Sequence, residues 1–349
     1  MKKVNDKNIH SARKEEHLNI SLNHDIDYIE KSTGFEKYYF IHNALPEISL
    51  EEIDTSITVL GKKLALPLMI SPMVGGIDEA AKINRDLAIV ARECRIGMGT
   101  GSQRMAIEDK KLAKTFNVRD DAPDILLFAN LGAVQLNYGY DTKHCRDAID
   151  MIEADALFLH LNPLQEALQA EGNYNFKDLL SKISFVCENL EKPVLAREVG
   201  FGISAEAALK LKLAGVFGID TGGSGGTSWI EIEKTRLTVS SLKKAAQFFG
   251  SWGIPTADSI KMIRESCPDI FLIASGGIRT GVDVAKAIAL GADIAGIALP
   301  VLKQVRISVK EAISYIKEIE AGLKIAMFCI GAQNIKQLKH NFNLRNVEK

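Results

Sequence analysis

The sequence predicts an α/β protein built as a (β/α)8 TIM barrel, on three observations. From Leu66 onward, eight short apolar runs alternate with amphipathic helical stretches, the pattern of βα units around a parallel sheet. The runs are mostly apolar along their length, as strands buried on both faces must be. Two of the later runs, ending at Gly218-Ile219-Asp220 and Phe271-Leu272-Ile273-Ala274-Ser275, empty into glycine-rich loops followed by helices. Glycine has no Cβ, so backbone N–H groups can turn inward on an anion, and a helix N-terminus beyond adds positive charge. One such loop, Gly222 to Trp229, reads equally well as a flexible surface turn. A second, Ser275 to Gly281, tips the reading toward a phosphate cradle at the top of a barrel. The glycine spacing that a doubly wound open sheet would need after its first strand is missing.

The elements follow in order. Residues 1–12 are polar, with poor order expected. Arg13-Lys14-Glu15-Glu16-His17 is a dense charged cluster, either a solvated helix face or a basic lid for an anionic substrate; composition alone favours the solvated face. Asp25 to Thr33 reads as a short helix stopped by Gly34, and Leu50 to Leu60 as a strand pair outside the barrel. Residues 1–65 thus form an N-terminal extension and 66–349 the barrel, in one domain overall. The candidate strands are Pro67–Pro72, Arg95–Thr100, Ile125–Leu131, Ala156–Asn162, Pro193–Val199, Gly215–Thr221, Ile270–Ser275 and Ile294–Pro300. Between them lie helical stretches over Glu79–Cys94, Thr142–Glu153, Lys177–Leu190, Ala205–Leu213 and Val282–Leu290, with Asp78 and Ser204 placed as N-caps. Glu231 to Asp269 should hold a helix, a turn at Gly250–Pro255 and a second helix opened by Thr256. After Val309 the chain is helical, with Ala312, Ile313, Ile316 and Ile319 on one face. Met327, Phe328 and Ile330 then either close the barrel or build an oligomer contact.

Composition excludes several classes. The chain has 349 residues, 46% hydrophobic and 25% charged, the balance of a soluble globular protein, and a formal net charge of -1 that argues against a nucleic-acid or membrane-surface protein while leaving room for a local basic cluster. Cys94, Cys145, Cys187, Cys267 and Cys329 are dispersed, without metal or disulfide spacing, so reduced thiols and a cytoplasmic setting are expected. The N-terminus lacks the apolar core of a signal peptide, and no apolar run approaches membrane-span length.

In a barrel the chemistry sits at the C-terminal strand ends. Those ends carry Met73-Val74-Gly75-Gly76, Gly101-Ser102-Gln103-Arg104, Asn130, His160-Leu161-Asn162-Pro163-Leu164-Gln165-Glu166, Arg197-Glu198, the two glycine loops, and Ala298-Leu299. His160 and Asn162 alternate along one strand and point to the same side, into the barrel. Glu166, just beyond, is a natural ligand for a hard divalent ion that also touches substrate phosphate. Singly, His160 reads as a core histidine and Glu166 as a helix-start carboxylate; their clustering shifts the balance. Arg197 lies on an apolar strand, where a charge needs a partner. It either faces the electron-rich end of a flavin or pairs with Glu198 or Asp220. Ser102 and Asn130 suit the edge of a flat heterocycle. Trp229 reads first as packing.

These motifs together resemble the type 2 isopentenyl-diphosphate isomerases, FMN enzymes on a (β/α)8 barrel. The likeness runs from about Arg13 to Gly331. HLNPLQE and GGSGGTSW are its specific parts, whereas SGGIRTG is shared with other FMN barrels. The resemblance implies that Arg13 and Lys14 bind the diphosphate, that His17, Arg104, His160, Asn162 and Gln165 contact substrate, and that Glu166 holds Mg2+. It implies flavin contacts at Met73, Val74, Gly75, Ser102, Asn130, Arg197, Gly222, Thr227, Gly276, Gly277, Ile278, Ala298 and Leu299. Reduced FMN would act as the acid–base, assisted by Gln165, with NADPH or NADH as reductant, in a homo-oligomer (tetramer or octamer). Two positions depart: Val74 stands where the family has Thr, and Arg197 where it has Lys. Charge is kept at 197, but guanidinium is planar and bulkier than ammonium. A hydroxy-acid oxidase or dehydrogenase would need a histidine base near the end of the seventh strand, and Ile270 to Arg279 contains none. A flavin-binding protein without turnover would have no use for Arg13, Lys14 and Glu166 together.

Overall fold

The eight apolar runs fold into eight short parallel strands: β1 (Leu68–Ile70), β2 (Gly97–Gly99), β3 (Leu127–Gly132), β4 (Ala156–Leu161), β5 (Val194–Glu198), β6 (Gly218–Asp220), β7 (Phe271–Ser275) and β8 (Ile294–Ile297). In the computed structural model, which describes residues 2–169, 171–339 and 343–347, each strand pairs with the next and β8 returns to β1, closing the barrel. Ile70 lies opposite Met98, Arg197 opposite Asp220, and Gly296 opposite Met69.

Alternation along each strand divides the apolar side chains into two cores. Leu127, Ala129 and Leu131 of β3 belong to the large core between the strands and the helical layer. Phe128 turns the other way, with Met69, Leu126, Phe158, Leu195, Ile273 and Ile294, and fills the barrel interior. The Phe128 and Phe158 rings stack there with centroids 4.7 Å apart. The expected strand pair outside the barrel is an antiparallel hairpin of Ile57–Val59 and Lys62–Leu64. It adds Val59 and Leu64 to the interior core. Leu50–Glu52 ahead of it is a single 3-10 turn.

The helices are α1 (Lys2–Asn23), α2 (Asp78–Cys94), α3 (Arg104–Glu108), α4 (Thr142–Ile152), α5 (Pro163–Leu168), α6 (Leu179–Asn189), α7 (Ala205–Leu213), α8 (Trp229–Arg236), α9 (Ser240–Gln247), α10 (Thr256–Ser266), α11 (Gly281–Ala289), α12 (Leu299–Ile307) and α13 (Val309–Phe328), with a short α14 (Ile335–Lys339). Ser204 caps α7 by accepting from the Ala207 N–H. Asp78 is the first residue of α2 rather than its cap. In α13, Ala312, Ile316 and Ile319 are buried with Leu323 and Met327, while Ile313 and Phe328 pack at the margin of the same core and Ile330 lies within it. The apolar tail therefore closes the fold. Among the described residues no helix is long and apolar enough to cross a membrane.

Three expectations change. The chain is helical from Lys2, not disordered over its first dozen residues; Met1 lies outside the described residues. Asp25 to Thr33 is extended, because its backbone partners lie across the barrel mouth. Tyr28 N–H donates to Gly226 O at 2.9 Å, Ser228 N–H to Ile26 O at 2.7 Å, and Ala257 N–H to Thr33 O at 2.9 Å. Glu231 to Asp269 holds α9 as an additional helix before the turn, since the chain bends in extended backbone at Leu237 and Val239.

The hairpin predicts its own test. Leu64 is 2% exposed in the interior core, so Leu64→Ala should cost about 2–5 kcal/mol in urea unfolding. Lys63→Ala, on the outward side of the same strand, should cost under about 0.5 kcal/mol.

Candidate active site

Helix α1 lies over the barrel mouth. Arg13, Lys14, His17, Leu18 and Ser21, which follow one helical face, line a cavity of about 250 Å³ together with the C-terminal strand ends. Lys14 Nζ donates to Gly75 O at 2.6 Å and Ser102 O at 3.0 Å, and sits 5.5 Å from the centre of the Phe116 ring. Burial, with Arg13 and Arg104 nearby, pulls its pKa down to about 7. Arg13 Nη1 donates to Gln169 Oε1 at 3.2 Å. Burial lowers its pKa too, although Glu171 and Glu166 act the other way. Arg104, on the same wall, holds Glu108 at 2.9 Å. The rim is thus a desolvated cationic cluster.

The floor is neutral and polar. Asn130 Nδ2 donates to Thr100 O at 3.2 Å, which leaves Asn130 Oδ1 as acceptor. His160 Nδ1, 2.8 Å from that oxygen, therefore carries the proton, and the Nε2 lone pair faces the Gly132 side. Burial, then Arg197, Lys14 and Arg13, push the His160 pKa down to about 3, so the ring is neutral. Asn162 Nδ2 donates to Gln165 Oε1 and Glu166 Oε1, both at 3.0 Å. Glu166 Oε2 accepts from the Asn173 N–H at 2.5 Å.

Glu233 is the residue that sequence reasoning missed. It is 1% exposed. Its Oε1 accepts from Gln165 Nε2 at 3.4 Å and lies 2.9 Å from His17 Nε2. Burial raises its carboxyl, but His17 and Arg236 outweigh that and leave the pKa lowered. His17, its own pKa lowered chiefly by burial, meets the edge of Trp229 with ring centroids 5.2 Å apart. Trp229 therefore both packs and lines the cavity. The available signal was the charged sequence of Glu231, Glu233 and Arg236 along the helix beyond the glycine loop.

Arg197 lines the cavity and is also paired. Its Nη1 donates to Asp220 Oδ2, on the neighbouring strand, and to Ser275 Oγ at 3.3 Å, while Ser275 Oγ donates to Asp220 Oδ1. Burial lowers the Arg197 pKa to about 10. Glu198 turns away and accepts from the N–H groups of Gly200 and Phe201 at 2.6 and 2.5 Å. Burial still raises its pKa to about 8.

Met73, Val74, Gly75, Ser102, Arg104, Asn130, His160, Asn162, Gln165, Glu166, Arg197, Thr227, Ala298 and Leu299 all border this one cavity with the α1 residues. Gly222, Gly276, Gly277 and Ile278 do not. They belong to the interlocked glycine loops beside it. A Cβ on Gly276 would lie 2.1 Å from Gly223 O, and one on Gly226 would lie 2.4 Å from Gly277 N. Gly276 and Gly277 adopt φ of +109° and +75°, open only to glycine at no steric cost. The N–H groups of Gly225, Gly226, Gly276 and Gly277 donate to no other described residue. That is a cradle fitted to a phosphate, and it supports a flavin mononucleotide whose ring would reach the cavity.

A metal has less to bind. No group of three or more His, Cys, Asp and Glu among the described residues could hold an ion. Glu166, however, accepts from Asn162 Nδ2, and the other end of that amide, Asn162 Oδ1, is a buried oxygen without a hydrogen-bond partner among the described residues. Two hard oxygens, completed by phosphate oxygens and water, suit Mg2+.

Fold and cradle place the chain among flavin barrels. The family model described as FMN-dependent dehydrogenase matches residues 9–115 and 181–345. Two solved structures share the fold: a mandelate oxidase (TM-score 0.65, 17% identity, 95% of both chains) and a flavocytochrome b2 (TM-score 0.67, 15% identity, 94% of this chain and 82% of that one). Within that class the chain belongs to the isopentenyl-diphosphate delta-isomerase family. It is 48% identical to the isomerase of Nostoc sp. (97% of this chain, 96% of that protein) and 45% identical to that of Oceanobacillus iheyensis (95% of both). The Rickettsia peacockii isomerase is 48% identical over 96% of this chain and 98% of that protein.

Lys14 yields a pH prediction. Its pKa falls from 10.5 to about 7 when α1 seats, so seating over an empty site favours neutral Lys14. Closure strengthens as pH rises from about 7 toward 10.5, and is weakest below about 7. Trp229 is the reporter once Trp252→Phe removes the other tryptophan. In flavin-free protein its emission should change between about pH 7 and 10.5 and stay flat in Lys14→Met. A flat response in both proteins would contradict this.

Proposed function

We propose that the chain converts isopentenyl diphosphate to dimethylallyl diphosphate, with reduced FMN, Mg2+ and a nicotinamide reductant such as NADPH. The observation that carries the reading is the opposition of charges across one cavity: Arg13, Lys14 and Arg104 at the rim, and the Glu166 carboxylate below. A diphosphate satisfies both sides, through the cations directly and through Mg2+ at the oxygens.

Reduced FMN supplies the proton donor and acceptor for the alkene. The chain's residues bind and orient. Arg13, Lys14 and Arg104 hold the diphosphate, with the neutral His160 and Asn162 beside it. Gln165, fixed between Asn162 and Glu233, sits where it can steady the five-carbon chain. Leu18, Ile232 and Leu302 on the cavity wall keep water from a carbocation-like centre. Arg197 offsets negative charge on a reduced ring, and its bond to Asp220 tempers that charge.

An oxidase or dehydrogenase reading lacks the histidine base it would need near the end of the seventh strand, since Ile270 to Arg279 contains none. The two cavity histidines are His17, engaged with Glu233, and His160, whose pKa of about 3 makes it a weak proton acceptor. The end of β7 contributes Ser275 and glycines.

The experiment is isomerisation of isopentenyl diphosphate by FMN-reconstituted protein with NADPH and Mg2+. Glu166→Gln should bind FMN normally and lose roughly 100-fold or more in turnover. Unchanged turnover at limiting Mg2+ would place the ion elsewhere. Arg197→Lys should keep or improve activity. Arg197→Ala should lose on the order of 100- to 1,000-fold and shift the reduced-flavin spectrum. An alanine variant as active as the wild type would make Arg197 a structural ion-pair residue.

A further inference from the structure

Arg236, the last residue of α8, is outside the cavity wall, yet all three of its nitrogens are committed. Nη1 donates to Glu233 at 2.7 Å, Nη2 to Glu171 at 2.9 Å, and Nε to Glu16 of α1 at 2.8 Å. The guanidinium is 13% exposed, Glu233 1% and Glu171 20%, so these two are not solvated surface pairs of the kind that contribute little; Glu16 is the exposed partner. One planar fork holds three carboxylates from three separate segments.

Each carboxylate is next to a residue that the cavity needs. Glu171 lies 3.9 Å from Arg13 Nε. Glu233 lies 2.9 Å from His17 Nε2 and accepts from Gln165. Glu16 is the residue before His17 on α1. Without Arg236, three carboxylates would converge with too little positive charge among them. The nearest cations are Arg13 and, once protonated, His17. Glu171 and Glu233 would then take those residues as counter-ions.

We propose that Arg236 is a positioning residue for anion binding: by holding Glu16 and by sharing Glu171 with Arg13 and Glu233 with His17, it spares Arg13 and His17 from being those carboxylates' only counter-ions, so that both can turn to a diphosphate. The proposal rests on the reading of the cavity as a diphosphate site.

The test uses the FMN-loaded protein with Mg2+, and inorganic diphosphate as the binding probe beside the isomerase assay. Arg236→Met should weaken inorganic diphosphate and raise KM for isopentenyl diphosphate by the same factor, roughly tenfold or more. The kcat at saturation should stay within about threefold, and FMN affinity should not change. Arg236→Lys, which keeps a charge but gives up the fork, should fall between. Adding Glu171→Gln to Arg236→Met should restore much of the lost affinity, because the competitor for Arg13 is gone. Unchanged diphosphate affinity, loss of FMN alongside kcat, or no rescue by Glu171→Gln would each overturn the proposal. A wild type that binds diphosphate without isomerising the substrate would overturn the functional reading alone, and the binding ratios would still decide on Arg236. A wild type that binds no diphosphate would overturn both.

Discussion

The contact between two glycine loops governs the rest of the barrel mouth. Gly223 and Gly226, after β6, meet Gly276 and Gly277, after β7, so closely that a single methyl group at Gly226 or Gly276 would collide with backbone. In these loops the N–H groups of Gly225, Gly226, Gly276 and Gly277 donate to no other described residue. The close approach also makes a ledge for the extended segment from Ile26 to Thr33, which bonds to Gly226, Ser228 and Ala257. That segment is the arm on which α1 reaches across the strand ends. The anion cradle and the lid are therefore consequences of one packing arrangement.

Charge is the second constraint. Burying Arg13, Lys14 and Arg104 together is unfavourable, and Lys14 answers by dropping its pKa to about 7. Such an arrangement is stable when something negative fills the space between them. The floor does not supply it: His160 is neutral, Asn130 and Asn162 are neutral, and Glu166 is engaged by Asn162 and the Asn173 N–H. On the proposed reading, an incoming diphosphate with its cation would complete the electrostatics that the chain leaves open.

The barrel was legible because its strands are buried on both faces, which writes each as an uninterrupted apolar run. Their ends were legible for the same reason, since polar residues such as His160 and Asn162 break those runs where they meet the cavity. Other features depend on packing across long stretches of chain. Nothing in Asp25 to Thr33 marks its partners as Gly226 and Ser228, so local pattern suggested a helix. Arg13 to His17 reads as a solvated face until α1 is seen over the mouth. The roles of Glu233 and Arg236 come from the placement of α8 against α1 and α5, for which no local motif exists. The partner of Arg197 became definite only through the β5–β6 register that sets it opposite Asp220.

The central claim is that this flavin barrel rearranges a diphosphate without net oxidation. The most direct measurement is the amount of NADPH consumed per molecule of dimethylallyl diphosphate formed, in FMN-loaded protein without oxygen. The account predicts many product molecules for each NADPH, the nucleotide being needed once to reduce the flavin. One NADPH per product, or oxidised product in place of the isomer, would contradict it.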